Sequence, residues 1–91
     1  METAEISEHQ VAVFEHLKDG AWKTSAEVAL ATRIAGRTAR HHLTKLVALG
    51  VLEEARIFPG HRYRLNGRPS ARAAEFVKRL KDAGEIFGET S

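Results

Sequence analysis

The spacing of apolar residues changes twice along this chain, and that limits what it can fold into. Val11, Phe14 and Leu17 recur at helical spacing, as do Ala39, Leu43 and Leu46. From Val51 the helical spacing gives way to two strands, the second of which alternates cleanly, with Tyr63 and Leu65 on one face and Arg62 and Arg64 on the other. From Ala73 it returns to helical spacing through Phe76, Val77, Leu80 and Ala83. A chain of 91 residues holds one domain with a thin core, so the helices and the hairpin must share it. The expectation is a mainly α fold with a small β-hairpin, in the order helix, strand, helix, helix, strand, strand, helix. Residues 7–66 form its core and residues 70–87 a C-terminal helix.

Capping and turn residues set the boundaries. Ser7 is the predicted N-cap of a helix over 7–19, with Gln10 completing a capping box and Ile6 and Val11 placed as a hydrophobic staple. Gly20 supplies the stop. Residues 21–24 suit one brief strand with Trp22 turned inward. Thr24-Ser-Ala-Glu27 is a second capping box, opening a helix over 25–32 with Val28 and Ala31 inward. In the link that follows, Ile34 plugs the gap between two helices, and Gly36 permits a tight start to the next.

That next helix spans 36–49 and ends at Gly50. Ala39, Leu43, Leu46 and Val47 or Leu49 form its buried side. Arg37, Thr38, His41, Thr44, Lys45 and Ala48 lie opposite, with Arg40 on the flank. Two strands are expected over 51–57 and 61–65, joined by Phe58-Pro59-Gly60-His61 as a type II turn. After a break at 66–69, the last helix runs from Ser70 to about Ala83, with Phe87 extending its stripe and the tail frayed.

Charge is unevenly distributed. The formal net charge is only +2. Residues 33–72 nevertheless hold nine of the 14 Lys and Arg, with Glu53 and Glu54 as the sole acids, for a local net of +7. Residues 1–32 carry −4 and residues 73–91 carry −1. A block of this sign, mostly arginine, is an electrostatic footprint for phosphate.

Other classes are disfavoured. There is no cysteine, hence no disulfide, thiol nucleophile or Cys-based zinc site. No apolar run approaches the ~20 residues of a membrane span. The acidic start argues against a signal peptide, and the cytoplasm is the expected compartment. Of the five histidines, His9 and His16 lie two turns apart and His41 and His42 are adjacent, so neither pair has the i, i+4 spacing of metal ligands. No nucleophile, carboxylate pair or Gly-rich loop points to catalysis. No enzyme activity, cofactor or metal is expected.

The stretch Glu27-Val-Ala, then Ile34-Ala-Gly-Arg-Thr-Ala-Arg-His-His-Leu-Thr-Lys-Leu46, then Leu49-Gly-Val-Leu-Glu53 resembles winged helix-turn-helix domains of bacterial, archaeal and phage transcription regulators, MarR-like or ArsR-like. The resemblance covers roughly residues 8–66. Two positions depart from the pattern: Ala35 stands where a capping side chain is usual, and Ala39 where a larger aliphatic is common.

The resemblance implies that the helix over 36–49 reads DNA, and groove geometry agrees. A helix fits the major groove, and Arg37 and Arg40 are suited to bidentate bonds with guanine. Thr38, His41, Thr44 and Lys45 would reach phosphates or base edges. In the hairpin, Arg56, His61, Arg62 and Arg64 would straddle the backbone or enter a narrow minor groove. Bland roles compete with some of these. Lys45 and Arg56 also suit plain solvated surface, Arg64 suits a cross-strand pair with Glu53 or Glu54, and His42 and Trp22 suit packing.

The last helix has two possible partners. Its stripe docks on the first helix, or it pairs with its twin through Phe76, Val77, Leu80 and Phe87. The expectation is a homodimer that binds double-stranded DNA sequence-specifically as a transcriptional regulator, a repressor acting by occlusion. The alternative is a winged-helix module that binds protein or RNA.

Overall fold

A computed structural model describes residues 7–57 and 60–89, with the backbone alone for Ile57 and residues 86–89. The elements run α1 (Glu8–Leu17), β1 (Lys23–Thr24), α2 (Ser25–Thr32), α3 (Gly36–Ala48), β2 (Leu52–Ile57), β3 (Gly60–Leu65) and α4 (Ala71–Glu89). The order matches the winged helix-turn-helix pattern, and the chain is mainly helical with a small antiparallel sheet. The sheet order is β1-β3-β2, so β3 is central and the hairpin is braced by the two-residue β1. Lys23 pairs with Tyr63 and Thr24 with Arg62.

The helix starts follow from their caps, with one difference. Ser7 Oγ accepts from the Gln10 N–H at 3.1 Å. The reciprocal half of that box is not made: Gln10 Oε1 is buried with no hydrogen-bond partner among the described residues. Thr24 and Glu27 make the full box, with the Glu27 carboxylate accepting from the Thr24 N–H at 2.8 Å and Thr24 Oγ1 from the Glu27 N–H at 3.1 Å. That bond to the Thr24 backbone holds the Glu27 carboxyl below the usual range. Ile6 and the Phe58-Pro59 part of the expected turn lie outside the described residues.

The turn into α3 differs from expectation in its mechanics. The left-handed residue is Arg33, at φ 60°, not a glycine. It caps α2, and the Ile34 N–H reaches back to the Ala29 carbonyl at 3.2 Å. Ile34 is buried, but Ala31, expected inward, is exposed. Ala35 makes no side-chain cap to α3, as its lack of an acceptor dictates.

The core collects one face of each helix: Val11, Phe14 and Leu17 of α1, Val28 of α2, Ala39, Leu43 and Leu46 of α3, and Phe76 and Leu80 of α4. Val13, Ile34, Val51, Leu52 and Tyr63 complete it. Leu49, one of two candidates for this face, is 39% exposed, while Val47 packs against the core. Gly50 has φ +84°, and a Cβ there would lie 3.3 Å from Ala73 Cβ, so turn geometry and close approach of α4 coincide at one residue. Asn66 then straps the base of the hairpin to the end of α3: its Nδ2 donates to the Gly50 carbonyl at 2.9 Å and its N–H to that of Val51 at 2.9 Å.

α4 runs beyond the expected end at Ala83, passing through Gly84 to Glu89. α4 lies against α1, and a Cβ at Gly84 would meet the Glu15 carboxylate, the far end of a side chain that can turn aside. Of the two partners open to the α4 stripe, the structure uses α1 of the same chain. Leu80 is fully buried and Phe76 nearly so, while Val77 is half-buried against the same core. Phe76 and Leu80, expected at a seam between two copies if α4 paired with its twin, thus leave little surface exposed in this chain. The Phe87 side chain lies outside the described residues.

Candidate nucleic-acid interface

The outer side of α3 is set by what its inner side buries. With Ala39, Leu43 and Leu46 in the core, Arg37, Arg40, His41, Thr44 and Lys45 are left exposed, and Thr38 is half-buried. This is the arrangement the helical spacing predicts. In the hairpin, Arg56 and His61 are exposed, and Arg62 and Arg64 are half-buried.

Arg40 and Thr44 meet His61 and Arg62 across a cleft of about 620 Å³. Thr24, Ser25 and Ala26, at the start of α2, form its third wall, and Tyr63 also lines it. A second concavity of about 420 Å³, lined by Gly36 and Arg37, shares Ser25, Ala26 and Arg40 with the first. A continuous basic trough therefore runs from the first turn of α3 to the hairpin. It is open and shallow rather than a closed chamber, which suits an extended polyanion better than a small substrate.

Not every predicted residue joins it. The Arg64 guanidinium carbon sits 4.4 Å from the centre of the Trp22 ring, and its Nη2 lies 3.5 Å from Glu53 Oε1. Arg64 is therefore held by cation–π stacking and a cross-strand pair, which matches the competing reading from register: Glu53 stands directly opposite Arg64. Trp22, expected inward, is half-buried beneath that guanidinium and is not part of the core. Thr38, His41, Lys45 and Arg56 lie outside the trough lining.

One functional neighbour was missed. Glu54 lines the cleft and accepts a hydrogen bond from His61 Nδ1. It introduces a carboxylate into an otherwise basic wall. The signal was present in the strand alternation: Glu54 pairs in register with Tyr63, two positions from His61, within diagonal reach on one face. Burial, and then the Glu54 charge, push the Tyr63 phenol up, with Arg40 opposing.

Among the described residues, no group of three or more acidic or imidazole side chains is arranged to hold a metal ion. Nor is any helix among them long and apolar enough to cross a membrane. No protein-family model matches the chain, and no curated protein matches it. The class is accordingly the one the fold defines: a winged-helix-like domain, with a three-stranded antiparallel sheet behind a helix-turn-helix.

Proposed function

We propose that this protein binds double-stranded DNA sequence-specifically and regulates transcription, as a repressor that occludes its site. The observation that carries this reading is the trough, where Arg37, Arg40 and Thr44 on the exposed side of α3 adjoin Arg62 of the hairpin. A helix presented this way fits a major groove, with arginines suited to guanine edges and the hairpin arginine to backbone phosphate. The local charge of +7 over residues 33–72 supplies the long-range attraction.

Two-fold pairing belongs to the proposal, because two reading helices about one DNA turn (~34 Å) apart would address a palindrome. With Phe76 and Leu80 buried inside the chain, such a pair would be built on other surface.

Duplex binding measured against salt tests the reading. A dimer neutralising about 6–10 phosphates loses ~10³–10⁵-fold in affinity between 50 and 200 mM salt. Selection of bound duplexes from a random pool should return a palindrome. Absence of duplex binding at low salt, or affinity indifferent to salt, would overturn the proposal in favour of a protein-binding module.

A further inference from the structure

Three imidazoles form a chain between α1 and α3 that neither the core nor the trough uses. His42 lies between the other two. Its ring centre is 6.0 Å from that of His9 on α1 and 5.5 Å from that of His41 beside it, with interplanar angles of 77° and 66°. Both contacts are edge-to-face, a geometry neutral rings adopt readily. His9 and His41 are exposed and His42 is half-buried, with its Nδ1 edge turned inward. That nitrogen is buried with no hydrogen-bond partner among the described residues.

We propose that this stack is a proton-sensitive joint, closed when His42 is neutral and loosened when His42 is protonated, so that acidification weakens the seating of α3 on α1. The chemistry of the ring explains the direction. A neutral imidazole can leave one nitrogen as an unprotonated acceptor, whereas an imidazolium carries N–H on both. Protonation would therefore bury an unpaired, charged donor at Nδ1, which is far costlier than an unpaired acceptor.

The surroundings offer that charge no relief. From α1 the titratable group facing His42 is His9; from α3 itself they are His41 and Lys45. All are cationic or become so, and no carboxylate is among the groups acting on it. From α2 and β2, the other elements packed against α3, no charge acts on it among the described residues. Burial first, and then these neighbours, hold the His42 imidazole below its ordinary range. The unfolded chain then takes up the proton more readily than the folded one. Stability is full above the unfolded value of about 6.5 and is lost as pH falls towards the folded value.

The joint stands apart from the nucleic-acid reading, and its test uses no DNA. The imidazole titrations of the full folded chain are followed by NMR, with His42→Gln identifying the resonance. Urea unfolding is measured alongside from pH 5 to pH 8. The expected result is a His42 midpoint below ordinary imidazole, and a wild-type stability that falls on acidification more than that of His42→Gln. Their folding constants should diverge at up to about tenfold per pH unit, the limit for one proton. Protection factors of amides in the first turns of α1 should fall on acidification more in the wild type than in the variant.

A His42 midpoint at or above the ordinary value, or parallel stability profiles, overturns the proposal. Should His42→Gln fail to fold, His9→Gln decides. Removing that neighbour should raise the His42 midpoint, and an unmoved midpoint overturns the joint.

Discussion

Arg40 and Arg64 carry the same charge but stand in different surroundings. Arg40 is exposed and shared by both concavities of the trough, so its guanidinium is free to meet an incoming ligand. Arg64 is held over Trp22 and beside Glu53. Arg40→Ala should accordingly weaken specific duplex binding by ~1–3 kcal/mol and relax sequence preference, with little effect on folding. Arg64→Ala should lower stability by about 0.5–1 kcal/mol through the lost stacking, and leave sequence preference unchanged. Anisotropy titrations on selected and scrambled duplexes, paired with urea unfolding, separate the two effects. The opposite pattern would exchange their roles. At this scale the sequence reveals residue type and face, because alternation and helical spacing fix both. It offers the Arg64 pair with Glu53 as one reading among two, and does not show the Trp22 stack that settles which arginine is held. That depends on β1 bringing Trp22 beside β3, a contact between segments about forty positions apart in a register no local pattern specifies.

Among the elements, α3 is the one whose start is least supported. Its N-cap is Ala35, which offers no acceptor to the first exposed N–H groups, and the preceding turn places Arg33 in the left-handed region. Ala35→Ser should supply the missing bond and raise stability by about 1 kcal/mol, within the range of ~0.5–2 found for N-caps. A higher urea midpoint at unchanged slope is the expected result; an unchanged midpoint would mean that solvent already satisfies those groups as well. The missing cap was legible in the residue itself, as was the intact box at Thr24 and Glu27. The end of α4 was not. Gly84 reads as a stop, with Phe87 beyond it continuing the stripe, and the helix runs through that glycine, which faces Glu15 on α1. A glycine that ends a helix and one that a helix runs through look alike until the neighbour is placed.

In the molecule as a whole, α4 is a wall of the core. Its stripe could have faced α1 or a second chain, and the spacing of Phe76, Val77 and Leu80 is the same in both cases. Leu80→Ala should therefore cost about 2–5 kcal/mol in urea unfolding, a large share of the roughly 5–15 kcal/mol typical of a whole domain. A loss below about 1 kcal/mol would put that side chain outside the core, given what full burial of a leucine contributes. The arrangement behind the trough has a consequence of its own. The hairpin is no loose arm: β1 pairs with it on one side, and Asn66 ties its base to the end of α3 on the other. Whatever rests on it meets a surface whose base is ordered before contact. Docking there forfeits less chain entropy than docking on a free arm, and more of the contact energy is left to separate one ligand from the next.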